Sequence, residues 1–290
     1  MSNKIVFFAD ACCDMPLDFA KKNGVSVIGL RYTMGKQDGW YTGATQKEID
    51  GLYAKMRKGE FGSTSLVLYN DAIEAFEPHF KDGADIIHVG LSSGLAKTWE
   101  NANKAGNDLA KKYGRKFYAP DTKTVSGANW FILKHAIELA KKYEGDKNCF
   151  DKIVRETEVF AKKVRAFFTV ESLAYLHKSG RLGTAQKIIG GMLKIKPIIT
   201  VDANGKLVNH CKKTGRLASI QYLASQIANA DPAFSYAAIA HADSEGDAKI
   251  LAQRVKEIKP DISIDVVNIG FIIGIHTGPG TLGLCFVQKD

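Results

Sequence analysis

Strand-like and helix-like stretches alternate from Lys4 to Tyr143, and that rhythm constrains the fold more than any other feature. Lys4 to Ala9 is a short apolar run of the kind a buried strand shows, and Asp14 and Pro16 behind it suit a helix cap and first turn. Further strands are expected over Val25 to Tyr32, Ile86 to Leu91 and Phe117 to Ala119. Between them, Thr45-Gln46-Lys47-Glu48 is a capping box opening a helix to about Lys58, and another helix starts near Asn70. Ser92-Ser93-Gly94-Leu95 stands at the head of a long helix to Tyr113, and Gly127 to Tyr143 is helical. Strictly alternating elements of this kind build a parallel sheet with helices on both faces.

Such a sheet also predicts where a ligand sits, because ligands gather outside the carboxyl ends of parallel strands. Asp10, Ser92 and Ser93 directly follow strands, and Ser63-Thr64-Ser65 lies on a loop that can reach the same edge. Backbone N–H groups of a helix beginning after Ser93 would favour an anion there. The plainer expectation is that these serines cap helices.

A helix from about Phe150 to Lys163 is expected to bridge two halves, after which the rhythm changes. Val164 to Val170 reads as a strand, Glu171 to Lys178 as a short helix and Ser179 to Gly183 as a turn. Thr184 to Leu193 reads as an apolar helix, and strands at Lys196 to Val201 and Leu207 to Lys212 are joined by the hairpin signal Asn204-Gly205. A helix from Leu217 to Ala230, a strand at Tyr236 to Ala240, a helix from Asp243 to Ile258 and strands near Ile262 and Leu284 complete the chain. The expected organisation is α/β in two domains: an N-terminal domain over 1–163 with a parallel sheet flanked by helices, and a C-terminal α+β domain over 164–290 with a mixed sheet and helices on one side.

Near the end, Ile269 to Gly283 combines glycines, Pro279 and apolar residues around one titratable side chain, His276. Gly278 and Gly280 flank Pro279 in a turn that needs unusual φ values. A histidine held there, with Thr277 and Thr281 beside it, suits gripping the polar head of an otherwise apolar molecule. The competing expectation is a tight turn whose histidine bonds a carbonyl. Periodicity does not decide whether Phe271 to Ile275 is strand or helix.

Composition and missing motifs narrow the function. Hydrophobic residues at 45% and charged residues at 24% are ordinary for a globular protein, and no apolar run reaches the length of a membrane span. The formal charge of +9 comes from lysines scattered or paired at helix ends, such as Lys111-Lys112, so it argues against nucleic acid as a partner and leaves transient contact with an anionic membrane surface. Five cysteines without a CxxC point to reduced thiols and a cytoplasmic address, and the seven histidines show no metal-ligand spacing. No P-loop, GxGxxG after a strand, GxSxG or HExxH is present, so neither a nucleotide site nor standard hydrolase chemistry is expected, and no cofactor is implied.

Taken together, the chain resembles the DegV family, fatty-acid-binding proteins that serve bacterial fatty acid kinase. The resemblance covers nearly the whole chain. It rests on Asp10-Ala11-Cys12-Cys13-Asp14-Met15-Pro16, Ser63-Thr64-Ser65, Leu91-Ser92-Ser93-Gly94-Leu95, Leu176 to Gly183, Leu193-Lys194-Ile195-Lys196-Pro197 and Ile273 to Gly280, in the right order and spacing. It implies a two-domain protein, itself no enzyme, that holds one long-chain fatty acid between its domains. The carboxylate would be gripped by Thr64, Ser93 and His276, with Ser65, Ser92, Thr277, Gly278 and Asp10 close by. The tail would enter an apolar interior walled by the helix Thr184 to Leu193. A partner kinase subunit would then phosphorylate the carboxylate to an acyl phosphate for phospholipid synthesis.

Several positions depart from the family pattern. Ala9-Asp10-Ala11 stands where the family has Thr-Asp-Ser, Leu66-Val67 where it has Gln-Pro, and Ala96-Lys97-Thr98 where it has Ser-Gly-Thr. Thr214 occupies a position where relatives tend to carry arginine, which bears on partner docking; Arg181 and Arg216 are the residues expected to face the partner. Two rival functions remain open on sequence alone: an acyl hydrolase or transferase using Ser93 and His276, and a carrier of another apolar anion such as a retinoid or sterol acid.

Overall fold

The computed structural model describes residues 4–182 and 194–289. The expected helix over Thr184 to Leu193 lies outside the described residues, as does Gly183. The chain forms an α/β fold with a parallel sheet, a mixed sheet and a small antiparallel sheet.

The parallel sheet has the order β2-β1-β6-β7, from β1 (Ile5–Asp10), β2 (Ser26–Ile28), β6 (Asp85–Val89) and β7 (Phe117–Tyr118). Its central strands β1 and β6 are buried almost throughout, as strands covered on both faces must be. Helices α3 (Tyr69–Lys81) and α4 (Thr98–Tyr113) pack on each other and on this sheet.

The single strand expected over Val25 to Tyr32 is two strands in two sheets. It breaks at Gly29, where the indole of Trp40 occupies the space a side chain would need. The second part, β3 (Leu30–Met34), joins β4 (Gln37–Tyr41) and β5 (Gly62–Thr64) in an antiparallel sheet of order β4-β3-β5. Two other expectations also shift. Asp14 does not cap α1 (Leu17–Asn23), whose N-cap is Pro16; it sits at φ 51 and accepts hydrogen bonds from Ser126 Oγ (2.5 Å) and Gly270 N (2.8 Å). The long helix begins at Thr98 rather than after Ser93, because Ser92 to Leu95 forms a separate turn pinned to neighbouring loops: Ser92 N bonds Thr124 O, and Ser92 Oγ donates to Gly205 O.

In the second half, six strands run β10-β9-β8-β13-β11-β12, antiparallel except for the β11–β12 pair. These are β8 (Val164–Thr169), β9 (Ile195–Val201), β10 (Leu207–Thr214), β11 (Tyr236–His241), β12 (Ser263–Asn268) and β13 (Leu282–Val287). Gly205 turns the β9–β10 hairpin at φ 75, as its Asn-Gly signal predicts. Alternation along the strands sorts the two faces. Phe167, Ile239, Leu284 and Phe286 form a core with α8 (Arg216–Ser225) and α9 (Glu245–Ile258). Ala166, Ala238, Ala240 and Cys285 point the other way, into the core shared with the first half.

That second face is covered by α5 (Gly127–Lys142), which contacts β6 of the parallel sheet as well as β8, β11 and β13. Helix α5 is therefore shared by both sheets, and α6 (Cys149–Lys163) packs on α5 and leads straight into β8. The alternative left open by periodicity resolves as a helix, α10 (Phe271–Thr277), which lies against α2 (Gln46–Arg57), β3 and β5 of the first half. Tyr53 on α2, 1% exposed, donates to the Ile269 carbonyl just before α10 at 2.6 Å. Tyr53→Phe leaves that buried carbonyl without its partner, so denaturant unfolding should show a loss of about 1–3 kcal/mol; an unchanged midpoint would mean the carbonyl finds another donor.

Candidate functional site

Helix α10 reaches its position through glycines. Gly274 packs against the phenol of Tyr53, where any side chain would collide, and Gly278 ends the helix at φ 80 beneath the Tyr175 ring. The helix thereby turns Ile272, Ile273, His276 and Thr277 toward an internal cavity of about 470 Å³. That volume lies within the range of small-molecule sites. Gly278→Ala would combine strained φ with overlap against Tyr175, and should lower stability by about 1–3 kcal/mol in a denaturant melt. A neutral result would show that Tyr175 can move aside, although its hydroxyl is tied to Met56 O at 2.8 Å.

The cavity exists because small residues meet where α5 crosses the mixed sheet. Gly127 begins that helix, and the facing strands present Ala166, Ala240, Gly283 and Cys285. Larger neighbours such as Leu30, Leu91, Leu95 and Phe168 complete walls that are mostly apolar.

One end of the cavity is polar. Thr64, on the inner side of the small sheet, places Oγ1 2.7 Å from His276 Nε2. Nδ1 of His276 is buried and has no partner among the described residues. Burial, and secondarily the nearby Arg181 charge, push the His276 pKa down to about 4, so the imidazole is neutral near pH 7. In either tautomer one proton is left over. If Nε2–H donates to Thr64, the threonine hydroxyl is free to donate; if Thr64 donates, Nδ1–H is the free donor. The site offers a hydrogen bond to an acceptor beside the guanidinium of Arg181, which also borders the cavity.

The other expected residues divide. Ser65 and Thr277 line the cavity; Ser65 Oγ accepts from Arg31 N at 3.3 Å, and Thr277 Oγ1 donates back to Ile273 O. Gly278 shapes the turn without bordering the cavity. Asp10 does not border it either: its carboxylate accepts from Cys12 N (3.0 Å) and Leu91 N (2.8 Å), bracing two loops whose Cys12 and Leu91 are wall residues. Burial raises the Asp10 pKa to about 6 against the lowering effect of those two bonds.

Ser92 and Ser93 are not among the cavity-lining residues. Ser93 Oγ donates to Asp121 and accepts from Lys123 Nζ at 2.8 Å. The structure thus fails to assemble Ser93 with His276, which removes the geometric basis of a nucleophile–base pair: His276 bonds Thr64 on β5, and Ser93 bonds Asp121 on the loop before α5. In place of Ser93, the Leu95 to Thr98 segment borders the cavity, with the exposed Lys97 among it. Arg216 bonds Asp247 (2.8 Å) and Ser244 (3.1 Å).

Sequence reasoning also missed Ser126, Cys12 and the row of small strand residues on the walls. Their signal is alternation of small and large residues in β8, β11 and β13, which acquires meaning only once those strands are neighbours. Among the described residues no group of three or more His, Cys, Asp or Glu could hold a metal ion, and no helix is long and apolar enough to cross a membrane.

A mostly apolar cavity that carries the Thr64–His276 pair, between a parallel and a mixed sheet, places the chain in a class of two-sheet α/β folds. Residues 4–289 match the family model described as "Uncharacterised protein, DegV family", and the chain belongs to that family. A DegV domain-containing protein of Clostridium perfringens is 31% identical over 98% of this chain and 97% of its own length. The structure of Bacillus subtilis DegV, described as a fatty acid binding protein, is 27% identical, with a TM-score of 0.82 over 99% of this chain and 100% of that one. The Streptococcus pneumoniae fatty acid kinase B3 protein, loaded with linoleic acid, shares the fold at a TM-score of 0.83 and 17% identity, over 99% of this chain and 100% of that chain.

Proposed function

We propose that this protein binds one long-chain fatty acid, with its carboxylate at the Thr64–His276 pair and its tail in the cavity between a unit over 1–163 and a unit over 164–290. The observation that carries the reading is the unpartnered donor of that pair at the polar end of an otherwise apolar cavity. A buried carboxylate is costly without hydrogen bonds. Each charge-assisted bond returns about 1.5–3 kcal/mol, and tail burial adds roughly 0.8 kcal/mol per CH₂ before ordering costs. The tail therefore dominates affinity and the head sets orientation.

In this reading the protein presents the acid to a separate kinase subunit. There a carboxylate oxygen attacks the γ-phosphorus of ATP, releasing ADP and leaving an acyl phosphate. The fatty acid kinase B3 relative supports that role. Arg181, exposed at the mouth, is the side chain we assign to the partner; Arg216, held by Asp247 and Ser244, serves the frame instead. The test is mass spectrometry of what the purified protein releases on denaturation. A stoichiometric long-chain fatty acid is expected; a protein that releases none and takes up none when it is supplied would overturn the proposal.

A further inference from the structure

A second cavity, of about 440 Å³, borders the first at Ala166. Along β8 the first cavity is lined by Ala166, Phe167 and Phe168, and the second by Val164, Arg165 and Ala166. Along the loop before α5 the first takes Val125 to Gly127, and the second takes Asp121 to Thr124. Among the described residues, Ala166 alone borders both cavities.

Strand register places Ala166 at the deep end. Thr169, at the far end of β8, pairs with Leu282, close to the α10 turn that carries His276. Ala166 lies three residues further in, about 10 Å along the strand. Its partner across the sheet is Cys285, the innermost β13 residue on the cavity wall. Beyond Ala166 the character changes: Lys123, Lys162, Arg165, Asp121, Glu158 and Asp202 surround the second cavity. A methyl terminus that crossed the partition would leave an apolar wall for a polar one.

We infer that Ala166 is the specificity-determining residue for chain length, a one-methyl partition against which the tail of the ligand ends. This inference rests on the fatty acid reading above. Each methylene buried is worth about a fourfold change in affinity, so a ruler at this point discriminates steeply.

The test measures affinities of saturated acids from 12 to 20 carbons for the full chain and its variants. Ala166→Leu should move the optimum down by about two to three methylenes and weaken the longest acids about tenfold or more. Ala166→Gly should move it up. Ala161→Leu narrows only the second cavity and should leave the wild-type profile unchanged, yet cancel the extension gained by Ala166→Gly. Wild-type binding with identical length profiles in both Ala166 variants would overturn the ruler while leaving the fatty acid reading intact. If Ala166→Leu fails to fold, an Ala166→Gly profile equal to wild type is enough to overturn it. Absence of any binding by the wild type would instead overturn the reading beneath it.

Discussion

On the proposed function, His276→Ala should weaken fatty acid binding by about 10- to 100-fold without unfolding the protein. The size follows from losing one charge-assisted hydrogen bond of about 1.5–3 kcal/mol, either directly from Nδ1 or through the freed Thr64 hydroxyl. The fold survives because α10 is held by other contacts: its glycine caps, the Asp14–Gly270 bond and the Tyr53–Ile269 bond just before it. Thr64→Val should act in the same direction, and the double variant should cost less than the sum, since the two groups are one unit. Ser93→Ala serves as the contrast, because its hydroxyl belongs to Asp121 and Lys123, and affinity should stay within about twofold of wild type. Titration calorimetry or a fluorescent fatty acid competition decides the matter. Equal losses for Ser93→Ala and His276→Ala would move the head-group site away from α10.

The second large effect is electrostatic. Asp14→Asn should stabilise the protein by about 1–4 kcal/mol more at pH 8 than at pH 4. Burial lifts the Asp14 pKa from 3.8 to about 7, against the lowering effects of its bonds to Ser126 and Gly270, and Asp10 is raised to about 6 in the same way. A carboxyl raised on folding binds a proton that the unfolded chain has released. Its penalty is absent below about pH 4, grows as pH rises toward 7 and is complete above that. His88, His135 and His276, each depressed to about 4, act oppositely: their share of stability is complete above 6.5 and is lost as pH falls toward 4. Comparing variant with wild type by denaturant unfolding at each pH cancels the histidines and isolates Asp14. An equal difference at pH 4 and pH 8 would show an ordinary carboxylate. The effect reaches the cavity because Asp14 ties the loop after β1 to Ser126, on the cavity wall, and to the head of α10.

Much of the architecture was readable in one dimension. Alternating runs located β1, β6, α3 and α5 to within a few residues, and Asn204-Gly205 placed the hairpin. The failures share a cause. Val25 to Tyr32 is one apolar run, but Trp40 packs over Gly29 and divides it between sheets. Asp14 carries a cap's side chain, but two distant donors compete for its carboxylate and win. Ser93 has the residue type and sequence position of a carboxylate ligand, and in the structure its hydroxyl bonds Asp121 and Lys123, a pairing that sequence spacing does not show.

By itself the sequence determined the alternating sheet-and-helix order and the family, because each depends on local periodicity or on contiguous motifs. Only the tertiary structure decided which hydroxyl meets that histidine, that α5 is the helix shared by both sheets, and where the cavity lies. Those outcomes depend on strand neighbours and on small residues from β8, β11, β13 and α5 converging at one place. Sequence spacing carries no record of such a convergence, because the distances that create it run across the sheets and not along the chain.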